Sequence, residues 1–240
     1  SVMYKVPFDN QDTAFFNTLK GSVDDYFKTS RLKKTGNWKL YTKTVILIPA
    51  AVGIYTSLLV FPMHWIPAVL LCGLLGFIIA CIGFNVMHDA CHGSYSSRKW
   101  VNNLMGLSLN MLGGNAFIWK FKHNIVHHTY TNVDGIDDDI AKSPLLRHCA
   151  TQKWVPAHRF QHIYMVFLYA ISTIGWMFLQ DFQKYFKRKV HNTDLQKMDV
   201  GDHIIFWASK LINVATYIGI PGLVVGWMPW LVGFLCMDAV

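Results

Sequence analysis

Apolar residues are gathered in long uninterrupted blocks along this chain, and the charged residues lie between the blocks. Residues 44–61 contain no charged side chain, and a second uncharged run, residues 65–87, follows after the short break Pro62-Met63-His64. A helix rises about 1.5 Å per residue, so each run is close to the length that crosses a hydrocarbon core ~30 Å thick. The short connection predicts a helical hairpin that returns the chain to its starting side.

A second hairpin is predicted near the end of the sequence. The last apolar stretch is too long for one span and is interrupted by Pro221 and Pro229, so we expect spans at about 204–225 and 229–240. The final span is shorter than the ~20 residues that a crossing needs. Because the chain also begins with Ser, we expect residues 1–240 to be a single-domain fragment of a longer protein.

Two further apolar segments are predicted to lie at the membrane surface. Residues 101–119 are interrupted by asparagine and glycine, which favours a surface helix. Residues 163–179 are flanked by basic loops on both sides, and a crossing would place one of those loops outside, against the positive-inside tendency. We therefore expect an interfacial or re-entrant segment. We also expect Lys210 to reach the interface from within its span by extending its side chain.

These elements together predict an all-α membrane protein. It would have two transmembrane hairpins, about four spans with the last incomplete, and a helical cap built largely from residues 88–203. Hydrophobic residues make up 52% of the chain, and charged residues make up 15%. So few charged residues could not cover the surface of a soluble protein of this size. The net charge of +8 comes from basic residues that flank the apolar runs, a pattern typical of cytoplasmic loops near anionic lipid. We expect no nucleic-acid partner.

Five of the eleven histidines fall into two tight clusters. His88 and His92 belong to HDACH, which directly continues the second predicted span, and His123, His127 and His128 belong to HNIVHH. On an α-helix, residues i and i+4 share a face, so the pairs 88/92 and 123/127 can each bind one metal ion. The adjacent His128 points elsewhere and suits a second ion or a bridging position. Imidazoles at a lipid boundary are costly without a function, which favours a metal centre.

Several residues near these clusters are candidates for supporting roles. Asp89 is expected to accept a hydrogen bond from a ligating histidine, since such histidines usually donate their other ring N–H. Asn85 precedes the first cluster on the same helix and is a candidate for a polar contact near the site. The acidic run 137–139 either tunes the metal site or keeps a loop solvated, and the sequence leaves both open.

The remaining histidines and the tryptophans near the ends of apolar runs favour structural explanations. His158 and His162 form another i,i+4 pair, which we expect to face lipid headgroups or a substrate phosphate instead of a metal. We expect four histidines without a partner pattern to be solvated loop residues: His64, His148, His191 and His203. An aromatic belt at the membrane interface accounts for Trp119, Trp154, Trp176 and Trp207.

The two histidine motifs, followed by Thr-Tyr-Thr-Asn at 129–132 and Asp-Asp-Asp at 137–139, resemble the membrane fatty acid desaturases. The resemblance is greatest to the acyl-lipid and acyl-CoA desaturases of the linoleoyl type and covers most of the chain. It implies two non-haem irons on the cytoplasmic side of an integral, multi-pass membrane protein. It further implies that the ligands include all five clustered histidines: His88, His92, His123, His127 and His128. The family's third cluster, Q/H-x-x-H-H, would lie beyond residue 240.

The implied activity is O2-dependent insertion of a double bond into a long acyl chain carried by CoA or a membrane lipid. The electrons would come from an external donor, a ferredoxin or a cytochrome b5, for which the basic segment 184–189 is a candidate docking surface. Three alternatives remain open on the sequence alone. The first is a related di-iron hydroxylase, whose reaction also begins with abstraction of a hydrogen from the acyl chain. The second is an intramembrane zinc protease, because His-Asp-x-x-His is similar to the zinc-binding motif His-Glu-x-x-His. The third is a histidine-rich metal transporter, which would bind metal without catalysing a reaction.

Overall fold

The fold was obtained as a computed structural model, which describes residues 13–140 and 144–240. Most of these residues are helical. The α-helices are α1 Ala14–Thr29, α2 Trp38–Val60, α3 Trp65–Ile82, α4 His88–Cys91, α5 Lys99–Gly106, α6 Ser108–Met111, α7 Ala116–Lys120, α8 Gln161–Ala170, α9 Ser172–Gly175, α10 Asp181–Lys187, α11 Val200–Val214, α12 Ile220–Val225 and α13 Trp227–Asp238.

In residues 13–140 and 144–240, four short π-helical segments and one 3₁₀ turn join these helices. The π segments are Gly83–Met87, Phe121–His127, Trp176–Gln180 and Ala215–Gly219, and the 3₁₀ turn is Pro156–Phe160. Two two-residue strands, β1 Lys189–Val190 and β2 Thr193–Asp194, pair antiparallel in a small hairpin. The all-α prediction is therefore correct except for this hairpin, which is too short to leave a strand pattern in the sequence.

Within the described ranges, three continuous helices are long and apolar enough to cross a membrane: Trp38–Val60, Trp65–Cys91 and Val200–Val225. The predicted apolar run 65–87 lies inside the second, and the run 44–61 lies inside the first except for Phe61, which caps its end. The first helix begins six residues earlier than its apolar run, where the side chain of Asn37 accepts a hydrogen bond from the Lys39 N–H. The second helix continues through a π segment into the first histidine cluster.

A fourth span depends on how the segment before α11 lies in the membrane. The helices Pro156–Ala170 and Ser172–Lys187 pass the same test only as a pair, and they are bent by 59° where they meet. Such a bend suits a broken span or a re-entrant loop, so the interfacial prediction for residues 163–179 remains a prediction. The last helix, α13, is 12 residues long and packs along α3.

The predicted surface helix at residues 101–119 is wrong as one element. The structure divides it into α5, α6 and α7, with a turn at Gly113 and Gly114. Gly113 has φ +108, in the left-handed region that favours glycine, and the Met177 side chain occupies the space that a Cβ there would need. The glycines thus allow residues 176–177 to pack closely against this turn, which a continuous helix would prevent.

The cap around the second histidine cluster has its own apolar core. Phe206 of α11 and Val190 of β1 are both fully buried in it. The core's other buried members come from the helices and loops on either side: Ile118, Phe121, Val126, Ile136, Leu195 and Met198. The core therefore joins the segment that carries the second cluster to the third spanning helix.

Lys210 does not extend to the interface as predicted. It is 6% exposed, and its Nζ lies 2.8 Å from Asp181 Oδ2, 2.7 Å from the Gly113 carbonyl and 2.9 Å from the Met177 carbonyl. The three donors of the ammonium group are thus all used, as a buried charge requires. The prediction failed because the partner carboxylate lies 29 residues away in sequence and is brought to Lys210 only by the fold.

Candidate metal centre

The first histidine cluster is presented by the end of the second spanning helix. His88 begins α4 directly after the π segment Gly83–Met87, and His92 caps its end. The two imidazole rings lie 4.5 Å apart, centre to centre. The side chains of Val86 and Ala90 pack into a core shared with α2 and α5, so the opposite face of this helix carries the histidines.

The second cluster lies on the π segment Phe121–His127, which continues α7. The side chain of Asn115 caps α7 by accepting a hydrogen bond from the Ile118 N–H at 3.0 Å. Phe121 and Val126 are buried in the cap core and fix the rotation of the segment. His123 is thereby directed toward the first cluster, with its ring 5.4 Å from that of His88.

All five predicted histidines come together in one group. Between the two clusters, the ring centres of His92 and His123 lie 5.2 Å apart, and those of His92 and His128 lie 4.9 Å apart. Within the second cluster, His123 lies 5.3 Å from His127 and 4.7 Å from His128. The structure therefore places the two sequence motifs against each other at one end of the second spanning helix.

A π-helical turn determines where the ring of His128 lies. In an α-helix, residue i+5 points away from residue i, but a π-helix bonds i to i+5, and residues with that spacing share a face. His128 follows the π segment and lies five residues after His123, so its ring contacts both His123 and His92. One extra residue per turn thus brings a fifth imidazole into the cluster, an effect that i,i+4 reasoning misses.

The donor atoms of this group fit a metal ion. Candidate ligand atoms of His88, His92 and His123 all lie within 4.8 Å of one another, as do those of His123, His127 and Asp139. Nε2 of His123 is buried and has no hydrogen-bond partner among the described residues. Burying an unpaired polar atom is costly, and a bound cation would satisfy it. Imidazole and carboxylate donors suit iron, and the residues present therefore fit a non-haem iron site.

Electrostatics keep the central imidazole neutral. Burial, followed by the neighbouring histidines, lowers the pKa of His123 to about 4. The pKa of His92 is lowered by the same causes, burial first and then His88 and His128. A metal ligand must present an unprotonated nitrogen, so these two side chains need not lose a proton at neutral pH to bind a cation.

Asp137 supports the second cluster from inside the protein. Its side chain is fully buried, and Oδ2 lies 2.9 Å from His127 Nδ1. The same carboxylate accepts hydrogen bonds from the backbone N–H groups of Asn132 and Asp139. Of the two interpretations left open for the acidic run, a solvated loop is wrong for Asp137. The carboxylate instead fixes the His127 ring so that Nε2 points away from it.

The other two aspartates of the run are paired with lysines. Asp139 Oδ1 lies 2.6 Å from Lys122 Nζ, and Asp138 Oδ2 lies 2.6 Å from Lys184 Nζ. Lys184 is 8% exposed, so it does not belong to an accessible docking surface, as the sequence had suggested for residues 184–189. The pairs hold the acidic run against the π segment and α10.

The two residues predicted to support the first cluster differ in their contacts. Asp89 Oδ1 lies 3.4 Å from His88 Nδ1, a long contact. Asn85 accepts a hydrogen bond from Lys43 at 2.9 Å and donates one to the Cys81 carbonyl. The side-chain contacts of Asn85 thus join the second spanning helix to the first and do not reach the histidines.

Trp119 is a functional candidate that was assigned to an interfacial belt. It is 9% exposed and stacks on His123 with ring centres 4.3 Å apart and planes 22° from parallel. Its ring also contacts His88 and His92 edge-on. The spacing of four residues between Trp119 and His123 was the available signal, because it places both on one helical face.

Comparison with known proteins decides the family. The family model described as fatty acid desaturase matches residues 62–239, a range that contains both histidine clusters. The chain belongs to the fatty acid desaturase family. Its long apolar helices and its family membership both indicate a membrane protein.

Curated relatives carry acyl-lipid desaturase names. An sn-1 linoleoyl-lipid 6-desaturase of Arthrospira platensis is 32% identical over 229 residues, which are 95% of this chain and 62% of that protein. An acyl-lipid (8-3)-desaturase of Physcomitrium patens is 31% identical over 85% of this chain and 43% of its own length. This desaturase-family chain therefore spans roughly half the length of these relatives. No solved structure is significantly similar to it.

In this desaturase-family chain the histidines border a large cavity of about 1020 Å³. His88, His123 and Trp119 line one part of it. Most of the remaining lining is apolar and comes from the second spanning helix, the bent segment after residue 160 and α13, and its charged members are Lys122, Asp139 and Asp238. The metal ligands proposed above thus lie beside a mostly apolar space of the size that a ligand pocket requires.

The histidines outside the two clusters have structural roles or are exposed. His158 is 7% exposed, accepts a hydrogen bond from the Val155 N–H through Nδ1 and donates Nε2–H to the Pro144 carbonyl. The predicted headgroup-facing role is therefore wrong for it. His203 lies in α11, half-buried, with Nδ1 2.8 Å from the Tyr185 hydroxyl, so it is not a solvated loop residue. The exposed ones are His64, His148, His162 and His191.

Proposed function

We propose that the protein containing this chain is an O2-dependent acyl-lipid desaturase with a histidine-bound di-iron centre. The single observation that carries the proposal is the convergence of five imidazole rings, from two separate motifs, beside a mostly apolar cavity. The names of the two curated relatives given above describe a linoleoyl-lipid desaturase and an acyl-lipid desaturase. These names favour a membrane lipid over CoA as the acyl carrier.

Two bound irons, reduced by an external donor, would supply the activation of O2 that removes two hydrogens from adjacent carbons of the acyl chain. In this chain, His88, His92, His123, His127 and His128 would hold them. Asp137 would keep the proton of His127 on Nδ1 and so leave Nε2 free for a metal. Trp119 would cover the His123 ring and exclude water from that side.

The cavity wall would bind and orient the acyl chain. Its lining is mostly apolar, and it extends from His88 past Gly83 and Ile79 along α3. An extended acyl chain placed there would be stabilised by the hydrophobic effect along its whole buried length. Its C–H bonds would be held close to the histidines. The walls would thereby determine which carbons lie nearest the metal ligands.

The histidine side of the molecule is proposed to face the cytoplasm. The basic segment between α1 and α2 lies on that side, because the Gly36 N–H donates to the Ser94 carbonyl, two residues beyond His92. Lys33 and Lys39 are exposed there, and basic residues near span ends mark the cytoplasmic side. The proposed topology has two hairpins and four spans, with the bent segment 156–187 held at the interface.

Electrons are proposed to come from a ferredoxin or a cytochrome b5, since the sequence shows no fingerprint for a bound flavin or nicotinamide. With Lys184 buried, the docking surface reduces to Lys187, Arg188 and Lys189, all of which are exposed at the end of α10. Their positive charge suits an acidic carrier.

The convergence of both clusters argues against a zinc protease. A His-Asp-x-x-His zinc site would use His88 and His92 and leave the second cluster without a role. In the structure, His123 contacts both of them.

The test is a product assay with the full-length protein containing this chain, expressed in a host whose lipids lack the product. Mass spectrometry of the host lipids should find a new double bond in glycerolipid acyl chains, abolished by His123→Ala and retained with His148→Ala, an exposed histidine outside the site. A hydroxylated acyl chain in place of the unsaturated one would contradict desaturation.

A further inference from the structure

The N-terminal helix α1 has an apolar face that the sequence analysis did not identify. Six apolar side chains recur at spacings that place them on one side of the helix: Phe15, Phe16, Leu19, Val23, Tyr26 and Phe27. At 100° per residue they occupy an arc of about 120°, and no polar residue of the helix falls inside that arc. The rest of the circumference is polar or small.

This apolar face is not covered by the described part of the chain. None of the 16 residues of α1 is buried, and Phe15 is 78% exposed and Phe16 64% exposed. An amphipathic helix normally forms because its apolar stripe packs against something. The described protein offers α1 no such surface, so the partner of this face lies outside it.

The position of α1 relates it to the membrane. Eight residues, 30–37, separate it from α2, which begins at Trp38. The connecting segment is held in place where the Gly36 N–H donates to the Ser94 carbonyl, and the Thr44 and Tyr95 hydroxyls lie 2.7 Å apart just beyond it. The chain cannot carry α1 far from the end of the spanning helices, since eight residues extend at most ~28 Å.

The charges around α1 suit a lipid surface. Lys20 borders the apolar arc, and Lys28, Arg31 and Lys33 follow it, all exposed. Asp24 on the polar side is ion-paired with Lys34. Basic residues beside the apolar stripe of an interfacial helix bind anionic headgroups while the stripe enters the acyl boundary.

We propose that α1 is an in-plane membrane helix, with its apolar face inserted at the headgroup–acyl boundary beside the first span. Continuity favours lipid over a protein partner, because no residue of the neighbouring spanning helix α2 is buried inside the protein, so that helix also leaves apolar surface for lipid to cover. The proposal does not depend on the reaction that the protein catalyses.

The test uses the full-length protein with a nitroxide label at Val23→Cys or, as a matched control on the polar face, at Thr18→Cys. The protein is reconstituted in vesicles of phosphatidylcholine and phosphatidylglycerol. Electron paramagnetic resonance then measures collisions of the label with O2, which concentrates in lipid, and with a water-soluble nickel chelate. The unsubstituted protein corrects for labelling of the native cysteines.

We expect the label at position 23 to be several-fold more accessible to O2 than to nickel, and the label at position 18 to show the reverse. Equal access to nickel at both positions would overturn the proposal, because the apolar face would then lie in water. Protection of position 23 from both reagents would also overturn it, because the face would then be covered by protein, either another segment or a second copy.

Discussion

At the scale of single residues, the proposed metal centre depends on how each imidazole is held. His127 is fixed by a fully buried carboxylate, while His123 stacks on Trp119 and keeps a buried nitrogen without a partner. Ligand residue types alone do not determine affinity. The groups that orient a ligating histidine contribute strongly to it.

Replacing Asp137 with Asn should weaken iron binding about 10- to 100-fold, the usual cost of losing a partner that orients a ligating histidine. The amide cannot hold the Nδ1 proton of His127 as a carboxylate does. Iron titration of the purified protein measures the effect. Asp138→Asn is the matched control, because Asp138 pairs with Lys184 instead of a histidine. Equal losses in both variants would contradict a specific role for Asp137.

Folding of the metal-free protein should depend on pH through His123. Its pKa is lowered to about 4 in the folded state, mainly by burial, from an ordinary value near 6.5. Between these values the unfolded chain binds more protons, so stability decreases as the pH falls from about 6.5 toward 4. Thermal unfolding in detergent at pH 7 and pH 5 should show this loss, and His123→Phe should reduce it. An unchanged pH slope in that variant would contradict the assignment.

At the scale of elements, the buried pair Lys210–Asp181 joins the third spanning helix to the bent segment before it. Asp181 also accepts a hydrogen bond from the Trp176 indole at 3.0 Å, and Trp176 lines the cavity. Through Asp181, the pair therefore holds Trp176, a part of the cavity wall that is distant from Lys210 in sequence.

Lys210→Met should destabilise the protein by about 3–5 kcal/mol, because it leaves the Asp181 carboxylate buried without its charge partner. The double variant Lys210→Met with Asp181→Leu should recover most of this loss. Unfolding midpoints in one detergent provide the comparison, with the exposed Lys39→Met as control. A double variant as unstable as the single one would show that the pair is not the source of the loss.

The same elements show what the sequence could predict. Uninterrupted apolar runs predicted the first two spanning helices because length and lack of charge suffice for that inference. The i,i+4 spacing predicted that each pair, 88/92 and 123/127, shares one helical face, and the family resemblance implied that the two pairs meet. The contacts of His128 with both clusters did not follow from that spacing, since a π-helical turn depends on packing around Phe121 and Val126. The partner of Lys210 was not predictable either, because only the tertiary fold brings it there.

At the scale of the whole molecule, three regions far apart in sequence enclose one cavity beside the histidines. Gly83 lines it from the second spanning helix, and a Cβ placed there would meet nothing within 4 Å. Gly76, about two turns earlier in the same helix, has no such room, because a Cβ would clash with the Met237 carbonyl. Both glycines line the cavity, but only Gly83 leaves room there for a larger side chain.

Gly83→Leu should therefore block the acyl chain without disturbing the metal ligands. We expect a large drop in unsaturated product, with iron content unchanged, because the leucine side chain extends into the open cavity beside His88. Gly83→Ala, which adds one methyl group to empty space, should retain activity and serves as the control. Full activity in the leucine variant would show that the acyl chain lies elsewhere.

The metal content of the detergent-purified, full-length protein tests the di-iron centre most directly. We expect about two irons per chain, since five imidazoles exceed the three or four protein ligands that one ion usually takes. We expect His92→Ala and His123→Ala to lose iron and His148→Ala to keep it. One zinc per chain, unaffected by His127→Ala and His128→Ala, would contradict the di-iron centre and with it the proposed desaturase chemistry.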